Sequence, residues 1–336
     1  MTAPAASIVI GVYNRSRQIV PCLESLLAST FQDFEIVLVE DRSSDDSAAV
    51  LERFRRDHPE RRIEVVHNER NLGACGARNV GIEHARGAWI FFIDSDCIVE
   101  PTWLEEMLRA TAGGAAGLSG TVRDKPPDSL AERAYVGSCL ISRKAPNLME
   151  CNMGLRADLA REYRFDDAIA YGGEGDDLSR RLAAGGHAIA FVPAAVVHHH
   201  HVMGLRGYMR MAVRLGQGHT RYWYKHDLWV GRDVAPLVLA VATLPLALVD
   251  ARALAATAAL VLAQIAAVLF NEMRFKGKSA LEALRVLPVS LLYLVVRTGS
   301  VLLTLARIAV APGEAGIRAS KRRWSGARRG GTAARA

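Results

Sequence analysis

The first two hundred residues alternate short apolar runs with segments in which apolar residues recur every three or four positions. Short β-branched and aromatic runs predict β-strands, and the three-to-four spacing predicts amphipathic helices. The predicted strands are residues 7–12, 34–39, 63–67, 89–93 and 191–197, and the predicted helices are residues 19–27, 47–58 and 74–85. This alternation is typical of right-handed crossovers, so we predict an α/β fold with a mostly parallel sheet and helices on both faces.

From residue 233 onward the pattern changes to long runs of Ala, Leu and Val. Two of these runs, Val234–Val249 and Ala253–Phe270, are each near the ~20 residues that cross ~30 Å of hydrocarbon. A third, Val286–Val310, carries Arg297 and Arg307 on one helical face, so we expect it to lie in the membrane interface. The sequence therefore predicts a helical membrane region, with a buried hairpin of a soluble protein as the alternative.

Positive charge is concentrated beside the apolar segments. The formal net charge is +7, from 42 Lys and Arg against 35 Asp and Glu, and the residues after Glu314 carry seven cations and no acid. Arg206, Arg210 and Arg214 form a stripe along a predicted helix at 203–225. Both features favour contact with an anionic membrane surface. No nucleic-acid motif accompanies them, so we predict no nucleic-acid partner.

These patterns predict four regions: a domain at 1–202, a basic connecting helix at 203–232, a membrane hairpin with an interfacial helix at 233–312, and a disordered basic tail at 313–336. The five cysteines are scattered and form no C-x-x-C pair, which argues against a disulfide framework or a zinc site. No signal segment precedes the first strand, and the loop after Phe270 is basic. We therefore expect the first domain and the tail on the cytoplasmic face of the cell membrane.

Polar residues follow the predicted strands at their carboxyl ends, which is where ligands bind in open α/β sheets. Tyr13 and Asn14 follow the first strand, Asp41 follows the second, and Asp94 and Asp96 follow the fourth. Two carboxylates one residue apart favour a divalent-cation site, with a solvated turn as the alternative.

A glycine-rich segment at 71–81 follows the third strand. It lacks the G-x-G-x-x-G spacing of dinucleotide-binding folds, but it supplies Arg78 as a cation for a nucleotide or diphosphate. Taken together, these features resemble the family 2 glycosyltransferases of the GT-A fold over about the first two hundred residues. Gly11 and Arg42 depart from the family pattern, in which proline and glycine are common. The matching segments are 7–14, 35–41 with Ser43 and Asp45, 71–73 with 77–79, and 92–96.

The resemblance implies a nucleotide-sugar donor, with UDP-, GDP- and dTDP-sugars all open, and a Mg²⁺ or Mn²⁺ cofactor. It implies that Asp41 reads the base, that Arg78 contacts the nucleotide and that Asp94 lies near the ribose. Asp96 is the implied metal ligand, and His198, after the last strand, is the second. The implied donor-binding residues are Val12, Tyr13, Asn14, Asp41, Arg78, Asp94, Ser95 and Asp96.

An acidic cluster at 174–177 follows Gly172 and Gly173 and begins a predicted amphipathic helix, where the helix dipole favours carboxylates. Taken alone, this pattern is equally typical of any acidic first turn. The resemblance implies that the segment faces the acceptor and supplies the catalytic base, for which we rank Glu174 first, Asp177 second and Asp176 third. Gly175 departs from the family pattern, in which aspartate is common. The predicted acceptor-side residues are Asn152, Gly173 and Glu174.

We therefore predict an inverting, divalent-metal-dependent glycosyltransferase that acts on a lipid or saccharide acceptor at the membrane, as in the synthesis of cell-envelope polysaccharides. A processive polysaccharide synthase is one alternative, but Arg221 and Trp223 do not fit the spacing of the Gln-x-x-Arg-Trp motif of such synthases. A non-catalytic membrane adaptor that binds nucleotide-sugars is the other alternative, and Gly175 favours it.

Overall fold

The computed structural model describes residues 3–136, 147–228, 237–243, 245 and 250–333. These residues form two compact units. The first unit contains residues 3–125 and 147–201, and the second contains residues 126–136 together with the described residues from 202 onward. The predicted first domain at 1–202 therefore differs from the first compact unit, because residues 126–136 belong to the second unit.

The first unit is built on a sheet in which the described strands take the order β3-β2-β1-β4-β7-β6-β8-β5. Strands β3, β2, β1 and β4 run parallel, and β2 is buried along its whole length, as expected for a strand covered on both faces. In the other half, β7 is antiparallel to β4 and β6, and β5 is antiparallel to β8. The five predicted strands are confirmed, and their parallel pairing holds for β1 to β4. The strands are β1 (Ala6–Val12), β2 (Phe34–Glu40), β3 (Ile63–His67), β4 (Trp89–Ile93), β5 (Cys97–Val99), β6 (Gly117–Asp124), β7 (Asn152–Arg156) and β8 (Ile189–His199).

The predicted helices at 19–27, 47–58 and 74–85 are confirmed as α1, α2 and α3. The buried core beneath the helices includes the large side chains of Phe91, Phe92 and Trp103. Helices α5 and α8 to α11 belong to the second unit. The helices are α1 (Ile19–Leu27), α2 (Ser47–Asp57), α3 (Gly73–His84), α4 (Trp103–Thr111), α5 (Leu130–Tyr135), α6 (Ala157–Tyr163), α7 (Glu174–Ala184), α8 (Leu205–Lys225), α9 (Ala251–Arg274), α10 (Ala280–Val310) and α11 (Ala315–Ala333).

Two helices of the second unit, α9 and α10, are long and apolar enough to cross a membrane, with mean hydropathies of 2.3 and 1.9 over their most apolar stretches. The predicted span Ala253–Phe270 lies within α9. Half of the predicted span Val234–Val249 is described, namely residues 237–243 and 245, and these residues are helical. The segment Val286–Val310 forms the main part of α10, which begins earlier, behind a cap from Ser279. Its location in the membrane interface stays a prediction.

The prediction of a disordered tail at 313–336 is wrong for the residues that the structure describes, because Ala315–Ala333 form α11. Arg221 of α8 binds Glu314, just before this helix, through two hydrogen bonds of 3.0 and 2.7 Å. Arg318 donates hydrogen bonds to two carbonyl oxygens near the end of α10. A cationic composition alone therefore does not predict disorder here, since part of the charge is used to bind neighbouring elements.

Two lysines of the basic loop after α9 form ion pairs with a buried glutamate. Lys276 and Lys278 lie 2.9 and 2.8 Å from the buried carboxylate of Glu272. The same ammonium groups donate hydrogen bonds to the carbonyl oxygens of Ala134 and Val136. These two lysines are therefore engaged by protein groups, which weakens the charge argument for the orientation of the predicted hairpin.

Candidate active site

The turn after β4 carries the two carboxylates singled out from the sequence. The N–H of Cys97 donates a hydrogen bond to the carbonyl of Asp94 and closes the turn. The side chain of Asp94 is 35% exposed, whereas that of Asp96 is 10% exposed. The two carboxylates therefore differ in accessibility, as a division of their roles requires.

Asp96 meets a histidine from β8 and an arginine from the loop after β1. His199 Nε2 lies 3.0 Å from Asp96 Oδ1, and Arg15 Nη2 lies 3.5 Å from Asp96 Oδ2. Cys97 of β5 stands opposite His199 in the antiparallel pairing of β5 and β8. This register brings the imidazole to the carboxylate that precedes Cys97.

The structure corrects the prediction of His198 as the second ligand beside Asp96. His198 Nε2 lies 3.1 Å from a carboxylate oxygen of Glu100 instead. Neighbouring residues of a strand face opposite sides of the sheet, so His198 and His199 cannot both face Asp96. The histidine of this site is His199.

Asp96, Cys97 and His199 offer ligand atoms that all lie within 4.8 Å of one another. Carboxylate oxygens suit Mg²⁺ and Mn²⁺, and imidazole nitrogen is a frequent ligand of transition metals. Burial would raise the pKa of Asp96, but the charge and hydrogen bond of His199, together with Arg15, hold that pKa below its usual range. Asp96 and His199 therefore fit a divalent cation, whereas burial raises the pKa of the Cys97 thiol, which does not suit Mg²⁺ or Mn²⁺.

Asp41 holds the start of α3. Its carboxylate accepts hydrogen bonds of 2.8 and 2.9 Å from the N–H groups of Leu72 and Gly73, and one of 2.8 Å from the amide of Asn68. A carboxylate has about four lone-pair positions, so about one remains for a ligand. Asp41 thus fixes the glycine-rich segment, and its contact with a base stays a prediction.

Asn14 joins the loops that follow β1 and β2. Its Oδ1 accepts a 2.8 Å hydrogen bond from the N–H of Ser44, and its own N–H donates to Ser43 Oγ at 3.0 Å. Arg42, in the second loop, has a φ of +61°, a backbone conformation that favours glycine. This conformation explains why glycine suits the position at which the chain carries Arg42.

Three further residues that are predicted to bind the donor differ in the exposure of their side chains. The side chain of Tyr13 is exposed, whereas those of Val12 and Ser95 are buried. The carbonyl of Val12 also accepts the N–H of Asp41 at 2.8 Å. Of these three residues, Tyr13 is therefore the one whose side chain reaches solvent.

Arg78 contacts one carboxylate of the predicted donor site and one of the predicted acceptor site. Its Nη2 lies 3.0 Å from Asp94 Oδ1, and its Nη1 lies 3.6 Å from Glu174 Oε1. The guanidinium is buried and lies over the ring of Phe165, 5.4 Å from the ring centre. Burial opposes its charge, but the charges of Asp94 and Glu174 raise its pKa. The arginine that is predicted to contact the nucleotide therefore lies between Asp94 and Glu174 and contacts both.

Glu174 is the first residue of α7 and follows Gly172 and Gly173, whose φ angles are +82° and +95°. Only glycine adopts such a turn without strain, which explains the glycine pair. Glu174 is buried, and its Oε2 has no hydrogen-bond partner within the described part of the chain. Burial raises the pKa of Glu174, although Arg78 opposes the shift. A buried carboxylate with an unpaired oxygen and a raised pKa has the properties of a general base.

The other two acids of the cluster are engaged by the protein. Asp177 is fully buried and lies 2.8 Å from Nε of Arg181. Asp176 is half-buried and accepts a 2.8 Å hydrogen bond from the amide of Asn147. Asp177 is therefore engaged in an ion pair with Arg181, which disfavours its rank as second choice for the base.

The structure also corrects the acceptor-side prediction for Asn152. This side chain is fully buried between strands, where its Oδ1 accepts a 2.8 Å hydrogen bond from Nε1 of Trp103. Its amide donates to the carbonyl oxygens of Thr121 and Ala195 at 2.9 and 3.0 Å. Asn152 therefore joins β7 to β6 and β8, and its polar atoms are not available to a substrate.

Sequence reasoning missed Arg15, His199 and Glu150. Both Arg15 and His199 directly follow predicted residues, and the register of β8 against β5 would have identified His199. Glu150 Oε1 accepts the N–H of Gly175, a residue 25 positions later in the chain. No local pattern predicts that contact.

Residues 7–157 match the model of the glycosyl transferase family 2. The chain is 44% identical over 118 residues to EpsH of Bacillus subtilis, a match that covers 35% of this chain and 33% of EpsH. It is 32% identical over 215 residues to the succinoglycan biosynthesis protein ExoO of Rhizobium meliloti, a match that covers 58% of this chain and 61% of ExoO. The chain therefore spans about a third of the first relative and less than two thirds of the second.

A solved structure shares the fold. The mannosyltransferase PcManGT from Pyrobaculum calidifontis, in complex with GDP-Man and Mn²⁺, is similar with a TM-score of 0.60 and 18% identity. The similarity covers 86% of this chain and 88% of that protein. The GT-A fold predicted from the sequence is confirmed.

Proposed function

Residues 7–157 belong to the glycosyl transferase family 2, and from this premise we propose that the protein is an inverting, divalent-metal-dependent glycosyltransferase. It transfers a sugar from a nucleotide-sugar donor to an acceptor at a membrane surface. One observation carries the proposal: beyond the end of β4, Asp96 pairs with His199, and Asp94 pairs with Arg78, which also lies 3.6 Å from Glu174. This arrangement combines a metal-binding pair with a candidate base.

A nucleotide-sugar donor fits the groups around this edge of the sheet. Asp41 keeps a carboxylate lone pair for a ring N–H, which uracil, thymine and guanine all present. The exposed ring of Tyr13 offers a surface on which a base stacks. The complex of PcManGT with GDP-Man supports this class of donor.

Asp96 and His199 are the residues that would hold the divalent cation, and the presence of Mn²⁺ in PcManGT supports a cation of that class. When bound, the cation neutralises the charge of the diphosphate leaving group. Arg15, 3.5 Å from Asp96, adds a fixed positive charge beside the same position. Arg78 contributes a second fixed positive charge, 3.0 Å from Asp94.

Glu174 is the proposed base. In a single displacement, the acceptor oxygen uses a lone pair to form the bond to the anomeric carbon. The bond from that carbon to the diphosphate breaks, and its electrons remain on the leaving phosphate oxygen. The acceptor proton passes to the carboxylate, which explains the need for an unpaired carboxylate oxygen. Attack opposite the leaving group inverts the anomeric configuration.

The proposed acceptor is a lipid or a lipid-linked saccharide. Helices α9 and α10 have the length and composition to cross a membrane, and Arg206 and Arg210 of α8 are exposed. Exposed cations beside apolar helices favour anionic headgroups. ExoO is named for succinoglycan biosynthesis, which supports a role in polysaccharide assembly. On this proposal the catalytic unit works on the cytoplasmic face, where nucleotide-sugars are made.

The proposed function is tested with the full-length protein in detergent, native membrane lipid and a panel of UDP-, GDP- and dTDP-sugars. We expect one donor class to release its nucleoside diphosphate only when Mg²⁺ or Mn²⁺ is present, and EDTA to lower the rate to background. If calorimetry showed that a donor binds but no nucleotide were released, the result would contradict the proposed enzymatic function. It would support the alternative of a non-catalytic membrane adaptor. Long polymeric products would instead support a processive synthase.

A matched pair of histidine variants tests the corrected site. His199→Ala should raise the Mn²⁺ concentration for half-maximal transfer by at least about 10-fold, because it removes the imidazole nitrogen next to Asp96. His198→Ala should leave that concentration within about twofold of wild type, since His198 contacts Glu100. The measurement is a metal titration of the initial rate. A larger effect of the His198 variant would contradict the assignment.

A further inference from the structure

Position 175 has no room for a side chain. A Cβ placed on Gly175 would lie 2.7 Å from Oε1 of Glu150 and would overlap the carbonyl oxygen of Leu148. Gly175 lies within α7 and is not among the residues with a left-handed backbone, so its conformation does not require glycine. The space taken by Glu150 and Leu148 explains this glycine.

The carboxylate of Glu150 occupies this space. Its Oε1 accepts the N–H of Gly175 in the first turn of α7, where the unpaired N–H groups of a helix favour an anion. Glu150 is half-buried, whereas Glu174 is buried. A second carboxylate therefore lies against the same first turn of α7 that Glu174 begins.

Glu174 lies 3.6 Å from Arg78, and Glu150 interacts with the same guanidinium at longer range. Burial and the charge of Glu174 raise the pKa of Glu150, while Arg78 opposes the shift. Burial also raises the pKa of Glu174. Two neighbouring carboxylates repel each other when both are charged, so such a pair binds a proton more readily than a single carboxylate does in the same place.

We propose that Glu150 supplies the second carboxylate of the acceptor site, in place of a side chain at position 175, and that Glu150 and Glu174 accept the acceptor proton as one unit. This inference rests on the proposed function, since it assigns a further residue to the same transfer. The proton leaves the acceptor hydroxyl, whose oxygen keeps the electron pair for the new glycosidic bond. The proton then resides on the carboxylate pair, and no further reactant is needed.

Glu150→Gln tests the inference because glutamine retains an oxygen that accepts the N–H of Gly175. The packing of α7 is therefore preserved, while the ability to take up a proton is lost. We expect kcat to fall by about 10²-fold, with the Kd of the donor unchanged by calorimetry and the melting temperature close to wild type. Glu150→Asp should recover part of the rate. Glu162→Gln, which removes an exposed carboxylate, serves as the control and should behave as wild type.

The double variant Glu150→Gln/Glu174→Gln tests whether the two groups work as one unit. We expect its kcat to match that of Glu174→Gln alone, since groups that act together show strongly non-additive effects. A normal kcat for Glu150→Gln, or a double variant whose loss equals the product of the two single losses, would overturn the inference and leave the proposed function intact. Failure of the wild-type protein to transfer any sugar would instead remove the proposed function, and this inference with it.

Discussion

Asp96→Asn should lower the rate of transfer by about 10³-fold at a fixed Mn²⁺ concentration, because a bound cation supplies several kcal/mol of charge stabilisation and each 1.36 kcal/mol is tenfold. Asp96 is the carboxylate that meets His199, and asparagine removes its negative charge while keeping its size. Asp94→Asn should reduce the rate but leave the metal requirement within about threefold of wild type. Asp94 pairs with Arg78, whereas Asp96 pairs with His199.

The measurement combines a metal titration of the rate with the binding of Mn²⁺ followed by electron paramagnetic resonance. The second readout reports metal binding in the absence of turnover. Melting temperatures of both variants control for folding, because Asp96→Asn leaves the charge of Arg15 without its partner. Equal shifts in metal affinity for the two variants would contradict the division of roles between the carboxylates. Full metal-dependent transfer by Asp96→Asn would refute the metal site itself.

The parallel half of the sheet could be predicted because its strands are continuous apolar runs. β1, β2 and β4 are buried almost throughout, and each is followed within two residues by an asparagine or an aspartate that breaks the run. β6 has no such signature, since its sequence Gly-Leu-Ser-Gly-Thr-Val-Arg-Asp mixes glycine with polar residues. It is a strand because β7 and β8 pair with it on either side. Long-range pairing of this kind overrides local preference.

The site was predictable only where a local pattern coincided with a strand end. Asp41, Asp94 and Asp96 follow apolar runs, so their common edge could be inferred from the parallel topology. The four consecutive histidines at 198–201 gave no such guidance, because a shift of one residue exchanges the two faces of a strand. The pairing of Cys97 with His199 fixes that register, and Cys97 lies about a hundred residues earlier in the chain. Glu150 was likewise hidden, since its partner is a glycine with no side chain.

Glu174→Gln should lower kcat by about 10²- to 10⁴-fold, the range that a positioned general base contributes. The donor Kd should change little, because Gln keeps the size of the side chain and Arg78 keeps its contact with Asp94. The raised pKa of Glu174 also predicts the pH dependence. The carboxylate is protonated, and inactive as a base, up to a pH above the usual range of glutamate. In the wild-type protein kcat should therefore rise with pH through that pKa, and this limb should be lost or displaced in the variant.

Stability separates this catalytic loss from misfolding, and its sign follows from the same pKa. A carboxylate whose pKa is raised in the folded state stabilises the fold while it is protonated and loses that contribution as the pH rises. At neutral pH the wild-type protein therefore bears the cost of a buried charge, which the neutral glutamine removes. We expect the melting temperature of Glu174→Gln at pH 7.5 to equal or exceed that of wild type, as measured by calorimetry beside Glu162→Gln. A lower melting temperature with an unchanged pH profile of kcat would mean that Glu174 serves the fold and that another carboxylate takes the proton.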